Sequence, residues 1–207
     1  SIGTAIRHDN YTLAKPSKVI ISEGLFTLTE KIRDAFNFKI YVDIDEDIKK
    51  EFSFLIEKDV RVIFSGRREP LPKKVLDAMD KIVDDTKNNK SLVLNICLNY
   101  GSHAEIVDMT KRLCSMYKNG DISLDDIDEE FIQKNMYNDL PPLDFVIRTS
   151  GELRLSNFMM YQASYAEFYF PDVLFPDFDN DEFDKAIIWF NKRNRRFGGI
   201  KNEIKNS

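Results

Sequence analysis

Short apolar runs rich in β-branched residues alternate along this chain with longer stretches whose apolar positions recur every three or four residues. The runs are Val19-Ile-Ile-Ser22, Phe38-Lys-Ile-Tyr-Val-Asp43, Val60-Arg-Val-Ile-Phe64, Leu92-Val-Leu-Asn-Ile-Cys-Leu98 and Leu143-Asp-Phe-Val-Ile147. Between them the helical pattern covers 27–36, 46–58, 71–88, 102–118 and 124–137. A last helix, beginning near Asp179-Asn180, carries Phe183, Ile187, Ile188 and Phe190 at helical spacing. Strands alternating with helices at this interval are the pattern of βαβ units. The expected fold is therefore α/β, a mainly parallel β-sheet flanked by helices.

The boundaries carry their own signals. Pro70 and Pro72 open the helix that follows Phe64, where a missing backbone N–H costs little, and Asn88-Asn89 closes it. Ser123 with Asp126 predicts an N-cap ahead of an acidic first turn, which suits the helix dipole. The last helix finishes in Lys192, Arg193, Arg195 and Arg196, and Gly198-Gly199 stops it.

Composition narrows the function. With 207 residues, 43% hydrophobic and 31% charged, the chain has the make-up of a globular protein of one domain, or of one domain with an appendage. A net charge of −5 and a pI near 5.2 argue against nucleic acid as the main partner, since backbone binding needs a basic surface. Any anionic ligand must then be held by local arginines. Cys97 falls in a strand pattern and Cys114 in a helical one, which predicts two small buried hydrophobes and no disulfide or metal pair. No apolar run approaches the roughly 18 residues of a membrane span, and the N-terminus lacks a signal-peptide layout, so a cytoplasmic location is expected.

The candidate chemistry lies between residues 144 and 172. An apolar strand delivers Arg148 to its carboxyl end, and a glycine-containing loop then presents Arg154, Ser156 and Asn157. Two guanidinium forks with hydroxyl and amide donors can neutralise and orient a diphosphate. The plainer alternative is a surface loop whose arginines pair with carboxylates such as Glu152. Further on, Glu167 stands inside the aromatic run Tyr165-Ala-Glu-Phe-Tyr-Phe170. A carboxylate there needs a partner, either a metal ion or an ion pair with Arg148 or Arg154. Aromatic density over 158–178 reads as core and dimer interface. His8 and His103 are too few and too far apart for a zinc site.

These words, in this order, closely resemble the C-terminal signature of the cis-prenyltransferases, the isoprenyl transferases that make undecaprenyl diphosphate and similar polyprenyl diphosphates. The resemblance runs from about Glu51 to Gly199 through Asn95-Ile-Cys-Leu-Asn-Tyr-Gly101, the Arg148–Phe158 loop, Tyr165–Phe170, Leu174-Phe-Pro-Asp-Phe178 and Arg195-Arg-Phe-Gly-Gly199. It implies condensation of isopentenyl diphosphate with an allylic diphosphate such as farnesyl diphosphate to give a cis-polyprenyl diphosphate. By the same resemblance Arg148, Arg154 and Ser156 bind the isopentenyl diphosphate, Leu155 contributes its backbone, and Glu167 helps coordinate Mg²⁺. Arg196 becomes a diphosphate contact across a homodimer interface; its plainer role is a basic helix terminus that satisfies the dipole. A polyprenyl product would draw a cytoplasmic enzyme to the membrane surface. Two positions depart from the family: His103 stands where arginine is common, and Arg67 replaces the usual aspartate after Gly66.

Residues 1–48 do not fit this pattern. Arg7-His-Asp-Asn-Tyr, Lys18-Val-Ile-Ile-Ser-Glu23-Gly24-Leu-Phe and Phe38-Lys-Ile-Tyr-Val-Asp43-Ile-Asp45 weakly resemble a uridine-kinase-type P-loop kinase, without that family's phosphate-cradling glycine loop. The family's own N-terminal Asp-Gly-Asn-Gly-Arg loop, whose aspartate holds magnesium at the allylic diphosphate, also has no match. The expected organisation is a kinase-like or divergent segment over 1–48 and the C-terminal part of a cis-prenyltransferase domain over 49–207. Two roles stay open, a transferase and a non-catalytic partner subunit of a cis-prenyltransferase complex.

Overall fold

The computed structural model describes residues 55–193 in full and residues 19–23 as a backbone strand. Three parallel strands, β1 (Val19–Glu23), β2 (Val60–Ser65) and β3 (Leu92–Cys97), form a sheet in the order β1-β3-β2. The registers pair Glu23 and Ser65 with the same residue, Cys97, so all three strands end at one level. β1 thus lies on the opposite side of β3 from β2. The expected strand 38–43, the helix 27–36 and most of the helix 46–58 lie outside the described residues; of the last, 55–57 form a helical turn.

A second parallel pair joins β4 (Phe145–Ile147) to β5 (Glu167–Tyr169). β4 begins two residues later than the pattern at 143–147 predicts. Nothing in the sequence pattern predicts β5, because the aromatic run containing it has no alternation to mark a strand.

α1 (Lys73–Thr86) packs on β2 and buries Met79, Ile82 and Thr86. Thr86 docks it: its hydroxyl accepts from Val62 N at 3.0 Å while donating to Ile82 O at 2.8 Å. The helix ends before Asn88-Asn89, and Asn89 instead fastens the loop by donating its Nδ2 to Val60 O at 2.8 Å. α2 (Ser102–Asn119) is the longest helix described and stops at Gly120, whose φ of 79° is left-handed. The expected helix 124–137 is broken in two. Ser123 and Asp126 form a capping box on a 3-10 turn at Leu124–Asp126, and Asp128 then caps α3 (Glu129–Lys134) by accepting from Phe131 N at 2.7 Å. α4 (Asn180–Asn191) starts where the sequence places it, with Asp179 accepting from Glu182 N at 3.0 Å.

Two apolar clusters hold these elements. Leu55, Val60, Val62, Ile82 and Ile96 lie between the first sheet and α1; Met109, Leu113 and Met136 join α2 to the segment around α3. Burial of each such side chain contributes about 1.5–3 kcal/mol. β4 and β5 pack through aromatic rings on α4, with Phe145 stacked on Phe190 at 4.7 Å and Tyr169 at 5.2 Å from Trp189. Cys97 is buried as expected. Cys114 is not: it sits on the outer face of α2 and lines a surface groove of about 250 Å³ with Leu113, Tyr117 and Leu124.

Candidate functional site

β4 ends at Ile147, and the next residues run on beside the segment that follows β5. Arg148 N donates to Tyr169 O at 2.9 Å, Ser150 N to Val173 O at 2.8 Å and Gly151 N to Pro171 O at 3.0 Å. Gly151 has φ of 62°, and a Cβ there would lie 3.0 Å from Asp172 Oδ1, so the close approach favours glycine. Ser150, Ser156, Asn157 and Met159 also have positive φ (69°, 51°, 63° and 41°). Such conformations cost on the order of 1–3 kcal/mol each for residues with a side chain and cluster at ligand-binding sites.

Arg148 is half-buried, and its Nε is a fully buried donor with no hydrogen-bond partner among the described residues. A guanidinium N–H in that position costs free energy unless an acceptor reaches it. Arg154 differs: its side chain is 62% exposed and ion-paired with Glu152, the plainer pairing anticipated for this loop. Leu155 is half-buried and Ser156 exposed on the same loop. Asn157, grouped with the anion donors on sequence grounds, directs its oxygens elsewhere. Its main-chain carbonyl accepts from Ser102 N at 2.7 Å and its Oδ1 from His103 N at 2.9 Å, both at the start of α2.

Glu167 opens β5 with its side chain 20% exposed, and its Oε2 accepts from Arg193 Nε at 2.9 Å. Its ion-pair partner is thus the arginine after α4, not Arg148 or Arg154. Arg193 also lies over the Trp189 ring, 5.0 Å from its centroid. Among the described residues no group of three or more His, Cys, Asp or Glu side chains could cage a metal ion. The chemistry of Glu167 fits Mg²⁺ in one form only, a single carboxylate completed by phosphate oxygens and water. Arg196 lies outside the described residues.

Several polar residues around the loop give no signal in the sequence beyond ordinary composition. Glu105, on the first turn of α2, is 2% exposed; its Oε1 accepts from Tyr137 N at 2.9 Å, and its Oε2 from Gln162 Nε2 at 3.0 Å and from the Tyr100 hydroxyl. Burial, and then this bond to Glu105, push the Tyr100 hydroxyl pKa well above its ordinary value. Asn138 Nδ2 donates to Ser65 Oγ at 2.8 Å, and Ser65 Oγ donates to the buried Asn95 Oδ1 at 3.0 Å, which ties the end of β2 and the middle of β3 to the chain leading to β4. Apart from the Tyr100–Glu105 bond, five residues in span, these contacts join partners 30 to 73 residues apart, which spacing could not have found.

The charge reversal at Arg67 has a local explanation. Arg67 forms a bidentate pair with Asp108, both bonds 2.8 Å, and Asp108 also accepts from the Tyr137 hydroxyl at 2.6 Å. The Arg67 bonds first, and then the Tyr137 bond, hold the Asp108 carboxyl down at about 2. Burial first, and then Asp108, push the Tyr137 hydroxyl up to about 12.

Comparison with known proteins gives the family and the fold. Residues 30–198 match the prenyltransferase family described as undecaprenyl diphosphate synthase. That match begins inside the segment 1–48 whose motifs resemble a kinase. A protein of Fusobacterium nucleatum named isoprenyl transferase is 48% identical over 155 residues, covering 75% of this chain and 65% of that protein. The isoprenyl transferase of Bacillus subtilis is 46% identical over 147 residues, covering 70% of this chain and 56% of its own. The chain therefore spans under two thirds of the length of these relatives. Among solved structures, the lavandulyl diphosphate synthase of Lavandula x intermedia, in complex with dimethylallyl diphosphate, superposes with a TM-score of 0.70 at 29% identity, over 73% of this chain and 66% of that one. A protein of Campylobacter jejuni described as a probable undecaprenyl diphosphate synthase gives a TM-score of 0.64 at 29% identity, over 74% and 70% of the two chains.

Proposed function

The chain belongs to the undecaprenyl diphosphate synthase family of cis-prenyltransferases, and from that membership we propose that it is an isoprenyl transferase whose 148–156 loop holds the diphosphate of isopentenyl diphosphate. The observation that carries this reading is the buried Arg148 Nε, without a hydrogen-bond partner among the described residues, at the carboxyl end of a parallel strand. A phosphate oxygen is the acceptor that would satisfy it. Arg154 would swing from Glu152 to the same anion, and the Ser156 hydroxyl and the backbone at Leu155 would add donors.

In the reaction, the allylic C–O bond breaks with its electron pair leaving on diphosphate. The isopentenyl double bond attacks the allylic carbon, a C–C bond forms, and a proton is lost to give a cis double bond. The described residues act by position and charge: they fix isopentenyl diphosphate so that its double bond is presented in one orientation. Mg²⁺, when bound, would neutralise charge on the diphosphates, and Glu167 would be its carboxylate, through Oε1 or after release of Arg193. Arg196 would reach the diphosphate site of a second copy in a homodimer. No helix among the described residues is long and apolar enough to cross a membrane; a polyprenyl product would bring the protein to the membrane surface from the cytoplasm.

The test is elongation of farnesyl diphosphate by labelled isopentenyl diphosphate with Mg²⁺. Long-chain product is expected, reduced about a hundredfold by Arg148→Ala, the scale seen when one preorganised charge-stabilising donor is removed. Complete absence of labelled product from the folded parent protein rejects catalysis. Stimulation of a full-length family enzyme on mixing would then assign the partner role.

A further inference from the structure

The positive end of a long helix beside an anion loop invites the reading that the helix binds the anion. Here the first turn of α2 is already occupied. Asn157 accepts from the first two N–H groups, and Ser102 Oγ, fully buried, accepts in return from Met160 N at 3.2 Å. Gly101 permits this contact. Its backbone is extended (φ −161°, ψ 134°), so any residue could adopt it, yet a Cβ there would stand 2.7 Å from Asn157 Nδ2.

We propose that Asn157 is a positioning residue: it clasps the far end of the 148–158 loop to the start of α2 and so holds that end in the left-handed conformations that aim Ser156 at the anion proposed for Arg148. Two observations support the clasp independently. Asn157 is itself left-handed, a conformation that asparagine tolerates better than most residues. It also satisfies helix N–H groups that nothing on α2 caps, since Gly101 has no side chain to do so. Residues 148, 150 and 151 are held separately by Tyr169, Val173 and Pro171, so without the Asn157 bonds it is the strained residues at 156 and 159 that lose an anchor. The role in catalysis rests on the isoprenyl transferase reading; the role in holding the loop does not.

The experiment uses the full chain and four variants, Asn157→Ala, Asn157→Asp, Gly101→Ala and the Gly101→Ala/Asn157→Ala pair. Amide hydrogen exchange reads the loop without any ligand, and titration with inorganic pyrophosphate reads its anion affinity. Asn157→Ala should speed exchange at 155–159 and weaken pyrophosphate roughly tenfold, on the scale of losing one helix cap. Asn157→Asp, which caps equally well, should restore exchange protection. Gly101→Ala should mimic Asn157→Ala by displacing the asparagine, yet add little in the double variant, where the obstructing amide is gone. Unchanged loop exchange in Asn157→Ala, failure of aspartate to restore it, or additive effects in the double variant would each overturn the clasp. A loop that loosens as expected in a protein that binds no pyrophosphate would keep the clasp and reject the substrate reading.

Discussion

Glu105 gives the most exacting test of how this site is held. It is a buried carboxylate whose three hydrogen-bond donors, Tyr100 OH, Tyr137 N and Gln162 Nε2, are neutral and come from three different segments. Replacement by leucine leaves all three without an acceptor, at about 1–3 kcal/mol each, and gives back the cost of burying a charge, so a net loss of about 3 kcal/mol is expected. Glutamine should fare better. Its oxygen can take the Oε2 position and serve Tyr100 and Gln162, and only the Tyr137 N–H then faces an amide NH₂. One unsatisfied donor corresponds to about 1–2 kcal/mol. Urea unfolding followed by circular dichroism at neutral pH measures both, against a total stability on the order of 5–15 kcal/mol. A leucine variant within about 0.5 kcal/mol of the parent, or a glutamine variant less stable than the leucine one, would refute the argument that hydrogen-bond satisfaction sets the energetics here.

Gly66→Ala should lower the thermal midpoint by roughly 10 °C, because φ is 131° and the new Cβ would stand 1.9 Å from Leu98 O, a backbone atom; a change within about 2 °C in thermal unfolding refutes this. Asp108 tests the acid side. Its folded pKa, about 2, lies below its ordinary 3.8, so the unfolded chain takes up the proton first, and its stabilising contribution is full above pH 4 and lost as pH falls toward 2. Asp108→Asn should therefore flatten the fall in stability across that window, and identical pH profiles for parent and variant would overturn the assignment.

The elements that could be read from the sequence are those whose signal is local. β2, β3, α1 and α2 each carry an apolar period or a cap within their own residues, and Asp179 and Ser123 mark their turns at the expected positions. β5 was hidden because an aromatic run has no alternation, and the single helix expected over 124–137 breaks because Asp128 caps more effectively than the run through it can propagate. Arg148 and Arg154 could be found as a pair from the order of apolar strand and glycine-containing loop. Their difference in environment could not, since the loop is held by Tyr169, at the end of a strand that gave no signal, and by Pro171 and Val173 just after it.

That difference decides what each arginine can contribute. Arg154 reaches an anion only by leaving Glu152, and exchanging one carboxylate for one phosphate oxygen at an exposed site is close to neutral in free energy. Arg148 gives up no partner at Nε among the described residues, and in the proposed role an incoming phosphate would remove the penalty of a buried unsatisfied donor while adding a charge-assisted bond. With a net charge of −5 the chain as a whole repels anions at long range, so affinity must come from short-range contacts of this kind. In the proposed role, the loop's strained backbone and its anchors on α2 and on the β5 segment would make one pre-formed guanidinium worth more to binding than several flexible ones on the surface.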